Sequence, residues 1–224
     1  MKAVIFDLDG TLIDTLQDLA VSCNHVLAQY GYPVHPVNSY KLFVGNGVRK
    51  LVERALPADH RTEATIEAVK QTFISYYQLH AQDNTRPYAG IEELLQQLKV
   101  QNFLLGVASN KYHEATVALV AHYFRPATFD LVLGHREGRP AKPDPDIVLE
   151  TLSTFAVDKQ ECIYVGDSSV DMQTATRAGV TAVGVTWGFR TEAELRENGA
   201  DYIIHSPLQL LAVLENACSF PKGL

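Results

Sequence analysis

Two carboxylates placed two residues apart, Asp7 and Asp9, follow the short apolar run 3–6, and Gly10 comes directly after them. The apolar run predicts a buried strand, and ligands of an open α/β sheet bind beyond the carboxyl ends of its strands. Carboxylates at that position can hold a hard cation such as Mg²⁺, and one of them can act as a nucleophile. The structural alternative is a strand-ending turn, because Asp and Gly are common turn residues.

A second carboxylate pair, Asp167 and Asp171, follows the apolar run 163–165 and Gly166. If a helix begins after Asp167, Asp171 faces back toward it and the two side chains can share one cation. The alternative is that Asp167 or Ser168 caps the helix while Asp171 favours its first turn. That alternative explains one of the two aspartates well and both poorly.

Three further polar side chains could bind an anion. Ser109 and Asn110 end another strand-like run and offer a hydroxyl, an amide and backbone N–H groups, although either could instead cap a helix beginning at His113. Pro143 restricts Lys142 to an extended backbone, but a lone lysine is by default a solvated surface residue.

These residues converge only if the strands that position them are parallel. Helical patterns lie between most of six strand-like runs, and this alternation implies a parallel sheet covered on both faces. Strands are expected at 3–6, 103–108, 131–133, 162–165, 182–185 and 202–204, and helices at 92–98, 113–122, 146–155 and 171–178.

One stretch after the first strand breaks this rhythm. Amphipathic helical patterns at 16–29, 48–56 and 62–80, with no strand before about residue 83, predict an all-helical unit. Pro and Gly between residues 85 and 90 mark its return. We therefore expect an α/β core of residues 1–14 and 86–224, and an α-helical cap of residues 15–85 that covers the site as a lid.

The composition excludes several classes of protein. The 224 residues are 46% hydrophobic, and 19 Lys and Arg against 26 Asp and Glu give a net charge of −7. Such a chain fits a globular protein, is unsuited to nucleic acid, and needs a metal and local cations to hold a phosphate. The N-terminus does not resemble a signal peptide, and no apolar run approaches the ~20 residues of a membrane span.

The three cysteines, Cys23, Cys162 and Cys218, are widely spaced and lack metal-ligand spacing. Free thiols of this kind are typical of a reducing compartment. We therefore expect a cytoplasmic protein without a membrane or nucleic-acid partner, as a monomer or homodimer.

Taken in order along the chain, four motifs resemble those of the haloacid dehalogenase-like (HAD) superfamily, across essentially the full length. The resemblance implies a Rossmann-like parallel sheet with central strand order 5-4-1-2-3 and a small α-helical cap inserted after the first motif. The motifs are Asp7-Leu8-Asp9-Gly10-Thr11, Ser109-Asn110, Lys142-Pro143, and Gly166-Asp167 with Asp171.

The same resemblance implies a role for each motif residue. Asp7 would be the nucleophile that forms an aspartyl-phosphate, and Asp9 the general acid–base. Mg²⁺ would be held by Asp7, the backbone carbonyl of Asp9, and Asp167. Asp171 would either bind the ion directly or contact one of its ligands. The groups implied to position the phosphoryl oxygens are Thr11, Ser109, Asn110 and Lys142. Cations and positioning are what phosphoryl transfer needs, because its transition state spreads negative charge over the oxygens.

Asp9 and the cap narrow the range of reactions and substrates expected within the family. Haloacid dehalogenases and phosphonatases lack a carboxylate at the position of Asp9, so its presence indicates phosphate monoesters or phosphomutase chemistry. In residues 43–50, a glycine loop at 45–47 precedes a predicted helix that carries Arg49 and Lys50 in its first turn. Such a helix N-terminus can bind an anion. The alternative is that these charges form a solvated helix face, as charge runs usually do. This segment and residues 185–201 resemble bacterial phosphoglycolate phosphatases. The expected substrate contacts from the loop are Gly45, Asn46, Gly47 and Arg49.

The expected function is therefore a Mg²⁺-dependent phosphatase acting on a small phosphorylated metabolite such as 2-phosphoglycolate. An inorganic pyrophosphatase on the same scaffold remains open. A β-phosphoglucomutase-like enzyme would carry a cap histidine that residues 15–19 lack. A binding protein on an inactive scaffold would have lost Asp7, Asp9, Lys142 or Asp167, and all four are present.

Overall fold

A six-stranded parallel sheet holds the two carboxylate pairs side by side. The structure, a computed structural model, describes the backbone of residues 2–219 and the side chains of residues 2–216. The strands are β1 (Ala3–Phe6), β2 (Ile13–Asp14), β3 (Arg86–Pro87), β4 (Leu104–Tyr112), β5 (Leu131–His135), β6 (Cys162–Gly166), β7 (Thr181–Val185) and β8 (Tyr202–Ile204).

Helices lie between these strands and in the segment that follows β2. They are α1 (Leu16–Gln29), α2 (Tyr40–Phe43), α3 (Gly47–Ala55), α4 (Glu63–His80), α5 (Ile91–Val100), α6 (His113–Tyr123), α7 (Asp146–Phe155), α8 (Ser169–Ala178), α9 (Glu192–Glu197) and α10 (Gln209–Ser219). Short 3₁₀ turns occupy Val37–Ser39, Ala58–His60 and Lys159–Glu161.

The strand order of the sheet is β5-β4-β1-β6-β7-β8. Numbered along the chain, the six strands of this sheet run 3-2-1-4-5-6, which contains the expected central order 5-4-1-2-3 when it is viewed from the other edge. Ala3 of β1 pairs with Leu104 of β4 on one side and with Cys162 of β6 on the other, in parallel register. The α/β fold class is thereby confirmed, and β1 and β6 end next to each other.

The central strands are apolar on both faces because helices cover both. Val4 and Phe6 of β1 belong to a core continuous with the helices α1 to α4, and Ala3 and Ile5 belong to a second core under α7 and α8. Alternate residues of a strand point to opposite faces. A doubly covered parallel strand therefore shows a continuous apolar run rather than alternation.

Strand β4 is longer than the sequence pattern predicts. It continues through Ser109 and Asn110 to Tyr112, and α6 begins at His113 with Tyr112 as the preceding residue. The alternative that Ser109 or Asn110 caps this helix is therefore wrong. The two-residue strands β2 and β3 were not predicted, because a run so short has no measurable periodicity.

The helical segment between β2 and β3 packs around α1 and α4, through buried residues such as Leu19, Val26 and Phe73. Strands β2 and β3 pair antiparallel, with Ile13 opposite Pro87. The chain therefore enters and leaves the helical segment at adjacent points. The division of the chain into a core and a cap at these crossings stays a prediction. Within residues 2–219, helices of the length and apolarity needed for a membrane span are absent.

Candidate active site

Three buried carboxylates meet at the ends of β1 and β6. Asp7 follows β1 and donates its backbone N–H to Val165 O at 2.9 Å, and Asp167 follows β6. Carboxylate oxygens of Asp7, Asp167 and Asp171 lie within 4.8 Å of one another. The convergence expected from the two sequence motifs is therefore what the neighbouring parallel strands produce.

The carboxylates of the cluster repel one another. Burial and the charge of Asp171 raise the pKa of Asp7 to about 7, against the opposing effect of Lys142. Burial, Asp171 and Asp7 likewise raise the pKa of Asp167 well above its usual value. A divalent cation would relieve this repulsion, and an all-oxygen set of hard donors suits Mg²⁺.

Lys142 is buried among these carboxylates, with 4% of its surface exposed, so the solvated alternative is wrong. Its ammonium donates hydrogen bonds to Ala108 O at 3.0 Å, Tyr164 Oη at 2.8 Å and Asp171 Oδ1 at 2.7 Å. Burial alone would lower the pKa of Lys142, but Asp171 and Asp7 raise it well above its usual value. The lysine is therefore a permanent positive charge at the site.

Asp7 is held beside Lys142. Lys142 Nζ lies 2.9 Å from Asp7 Oδ1 in a buried ion pair, and outside this pair Oδ1 has no hydrogen-bond donor among the described residues. The ammonium replaces part of the hydration that the oxygen loses on burial. The Asp7 carboxylate is thus fixed at the strand end by one cation, where the residue lines the cavity described below.

Asp171 takes part in capping α8 and also faces Lys142, so the capping interpretation is confirmed, and a cation shared with Asp167 stays a prediction. Ser168 caps α8 and forms a capping box in which the Asp171 side chain accepts from Ser168 N at 3.1 Å. The other oxygen of Asp171 pairs with Lys142. A Cβ at Gly166 would come within 2.3 Å of Asp171, so only glycine allows the carboxylate to approach the strand end.

Asp167 is fixed by groups from both ends of the chain. Thr11 Oγ1 donates to Asp167 Oδ1 at 3.5 Å, and Phe189 N donates to Asp167 Oδ2 at 2.7 Å. A Cβ at Gly10 or Gly188 would lie 2.3 Å from an Asp167 atom. The structure thus places Thr11 against Asp167, while the loop of Phe189 is a support that the motif analysis missed.

The Asp9 carboxylate turns away from the acidic cluster. It accepts hydrogen bonds from Thr15 Oγ1 at 2.6 Å and from Lys111 Nζ at 3.0 and 3.1 Å. Lys111 is buried and lies over the Tyr77 ring of α4, 4.8 Å from its centroid. Burial would lower the pKa of Lys111, but Asp9 and Tyr77 raise it above its usual range.

Lys111 is a site residue that no sequence motif indicated. It lies in β4 where the register with β5 shifts between Ala108 and Tyr112, so the regular alternation of faces along a strand does not predict which side it occupies. The Ser109 hydroxyl accepts a hydrogen bond from Lys111 N at 3.3 Å. Both side chains line the same cavity.

Asn110 joins three segments at the site. Its Oδ1 accepts from Lys142 N at 2.8 Å, and its Nδ2 donates to Lys142 O and to Gly45 O, both at 3.0 Å. The side chain therefore ties the end of β4 to the Lys142 segment and to the glycine loop of the helical segment.

The glycine loop borders the site, but only part of it faces inward. Gly45 and Gly47 line the cavity and have φ values of 114° and 81°, a region that favours glycine. Asn46 Oδ1 instead accepts a hydrogen bond from Arg54 at 2.7 Å, which holds its side chain against α3.

The structure does not bring Arg49 to the cavity. Its guanidinium pairs with Glu53 at 3.2 Å and with Glu63, and 42% of the side chain is exposed. The alternative of a solvated helix face therefore describes Arg49.

A cavity of about 660 Å³, including its open mouth, lies between the strand ends and the helical segment. It is lined from the sheet side by Asp7, Asp9, Ser109, Asn110, Lys111, Tyr112, Asp167, Ser168, Phe189 and Arg190, and from the helical side by Leu19, Val44, Gly45, Gly47, Val48, Leu51, Phe73 and Tyr77.

Comparison with known proteins gives consistent results over nearly the whole chain. Residues 4–185 match the family model described as haloacid dehalogenase-like hydrolase. The chain is 31% identical over 219 residues to phosphoglycolate phosphatase of Haemophilus influenzae, which covers 95% of this chain and 98% of the relative. It is 35% identical over 209 residues to the protein of the same name from Caulobacter vibrioides, covering 92% and 88%.

Solved structures agree with the sequence relatives. A protein of Lactobacillus delbrueckii subsp. bulgaricus, provisionally assigned as a phosphoglycolate phosphatase, has a crystal structure similar to this fold with a TM-score of 0.90. The two chains are 33% identical, and the match covers 95% of this chain and 98% of the other.

Proposed function

This chain belongs to the haloacid dehalogenase-like hydrolase family and is a phosphatase of phosphoric monoesters, and from that premise we propose that it is a Mg²⁺-dependent enzyme that hydrolyses 2-phosphoglycolate. The observation that carries the proposal is the buried cluster of Asp7, Asp167 and Asp171, whose carboxylate oxygens lie within 4.8 Å of one another beside Lys142, with Asp7 and Asp167 lining the cavity. Relatives named phosphoglycolate phosphatase support the choice of substrate.

The proposed reaction has two displacements at phosphorus. An Asp7 oxygen forms a bond to phosphorus while the ester P–O bond breaks, and the leaving oxygen takes a proton from the Asp9 carboxyl group. Water then attacks the aspartyl-phosphate and gives its proton to Asp9, while the bond between Asp7 and phosphorus breaks. The covalent intermediate divides one difficult step into two easier ones.

Metal and lysine supply the charge that this mechanism needs. We propose that Mg²⁺ is held by Asp7, by the Asp9 backbone carbonyl and by Asp167, with Asp171 behind them. When bound, Mg²⁺ neutralises the phosphoryl oxygens. Lys142 adds a permanent positive charge, and the Ser109 hydroxyl lies at the wall of the cavity. The Asn110 amide is already bonded to Lys142 and Gly45, and we propose that it positions these segments around the phosphoryl group.

We also propose that the protein is cytoplasmic. Cys23 and Cys162 are buried free thiols, which fits the reducing cytoplasm. Cys218 lies outside the described side chains.

Phosphate release from a small panel of substrates tests the proposal. We expect Mg²⁺-dependent release, abolished by EDTA, with a kcat/KM for 2-phosphoglycolate far above those for pyrophosphate, β-glucose 1-phosphate and p-nitrophenyl phosphate. Preference for pyrophosphate would support the pyrophosphatase alternative and overturn the substrate. Conversion of β-glucose 1-phosphate to an isomer would indicate a phosphomutase instead.

A further inference from the structure

Arg190 is the least satisfied cation at the cavity. Among the residues that the structure describes, six buried side-chain polar atoms lack a hydrogen-bond partner, and four of them belong to residues that line this cavity. One of the four is Arg190 Nη1, on a side chain that is only 10% exposed. A buried guanidinium N–H without an acceptor is costly, so a ligand that supplies an acceptor is favoured there.

The remaining atoms of Arg190 are fixed, so that Nη1 is presented in one orientation. Nη2 donates to Val44 O at 2.9 Å, and Nε lies 3.4 Å from Glu194 Oε1. The preceding residue, Phe189, donates its N–H to Asp167. The guanidinium is therefore anchored between the acidic cluster and the glycine loop.

The glycine loop contributes space at the same place. A Cβ on Gly45 would lie 3.8 Å from Arg190 Nη2, an ordinary van der Waals distance, so Gly45 lies directly beside the guanidinium. Arg54, close to Arg190, donates to Phe43 O at 3.0 Å and to Asn46 Oδ1 at 2.7 Å. Oxygens of the loop thus accept hydrogen bonds from both arginines, while Glu194 is the carboxylate that pairs with Arg190.

We propose that Arg190 is the specificity-determining residue of the substrate site, with its Nη1 group binding a carboxylate carried by the leaving group of the phosphate monoester. The substrate class is a short phosphate ester with a second anionic group close to the phosphoryl group. Guanidinium groups match carboxylates in geometry and charge. The inference rests on the proposed phosphatase function and replaces Arg49 by Arg190 as the cation that selects the substrate.

Two substrates that differ only at the second anion provide the test. 2-Phosphoglycolate carries a carboxylate where ethyl phosphate carries a methyl group. We expect Arg190→Gln to lose about 10- to 100-fold more kcat/KM for 2-phosphoglycolate than for ethyl phosphate, mostly through KM, as for one charge-assisted hydrogen bond. Guanidinium ion should partly restore the selectivity of Arg190→Ala.

Arg54→Gln is the matched control, because Arg54 holds the same loop from outside the cavity lining. We expect Arg54→Gln to change both substrates in parallel. A parallel loss in Arg190→Gln would mean that Arg190 only anchors the loop, and this would overturn the inference. A loss in Arg54→Gln as selective as that of Arg190→Gln would overturn it as well.

The substrate preference of the wild-type protein distinguishes a failure of this inference from a failure of the proposed function. If 3-phosphoglycerate is preferred over 2-phosphoglycolate and Arg190→Gln selectively loses it, the inference holds and the proposed substrate fails. If the wild type prefers ethyl phosphate to every carboxylate-bearing ester, the phosphatase remains and the inference is overturned. If it releases phosphate from none of them, both fail.

Discussion

At the scale of single residues, Asp7 and Asp9 are two positions apart and have different surroundings. Asp7 faces Lys142 and two further carboxylates, and Asp9 faces Lys111 and Thr15. The residue between them, Leu8, is fully buried. Different environments give chemically identical groups different roles, which is what the proposed division into nucleophile and acid–base requires.

Asp7→Asn should abolish turnover with every phosphate ester, because the amide is a poor nucleophile and a weak metal ligand. We expect a loss of at least about 1,000-fold in kcat, of the order found when a covalent nucleophile is removed. Steady-state phosphate release measures it, with circular dichroism to show that the variant is folded. More than trace activity in the folded variant would rule out Asp7 as the nucleophile.

Lys111→Met should lower kcat and also the free energy of unfolding, because it leaves the Asp9 carboxylate buried without its cation. Unfolding in urea should show a loss of about 2–4 kcal/mol. Adding Asp9→Asn should recover part of this stability without recovering activity. Additive stability losses in the double variant would show that the two side chains are energetically independent.

At the scale of elements, one carboxylate holds the start of the helical segment against its end. Asp18, in the first turn of α1, is 1% exposed. It accepts hydrogen bonds from the backbone and side chains of Asn84 and Thr85 at 2.8 to 3.0 Å. This contact closes the helical segment just beyond the short ribbon of β2 and β3.

Asp18→Ala should destabilise the protein by about 2–4 kcal/mol, because several buried donors lose their acceptor. Urea unfolding followed by circular dichroism measures the change. Glu67→Ala is the control, since Glu67 on α4 is 47% exposed and contacts only surface partners of its own helix, Lys70 and Gln71. Equal midpoints for the two variants would contradict the role assigned to Asp18.

At the scale of the whole molecule, a chain of net charge −7 places buried cations around its proposed phosphate site. Lys142, Lys111 and Arg190 all have side chains that are 10% exposed or less. Low-dielectric walls strengthen such local charges relative to the distant negative surface. Each of the three is already paired with a carboxylate, so the site needs a bound cation as well before it can attract an anion that the molecule as a whole repels.

The helical segment should close over the sheet when substrate binds. The cavity lies between the two parts, and hydrogen bonds from Asn110 to Gly45 and from Arg190 to Val44 link them across it. We expect the radius of gyration from small-angle scattering to fall when Mg²⁺ and a phosphate mimic such as vanadate are added. Identical profiles with and without them would contradict a moving cap.

The sequence by itself determined the positions of Asp7, Asp9, Asp167 and Asp171, and the α/β class. Strand and helix periods are local properties, and polar residues that follow an apolar run stay at the strand end in any parallel sheet. The strand order, by contrast, was expected from the family resemblance and not from the residues.

Only the tertiary structure decided which arginine and lysine side chains line the cavity. Arg49 and Arg190 are both arginines near glycines, but Arg49 pairs with Glu63 from another helix, whereas Arg190 reaches Val44 from across the chain. Lys111 became a site residue only because Asp9 lies opposite it. The burial and pairing of a charged side chain depend on neighbours distant in sequence, and no local pattern records them.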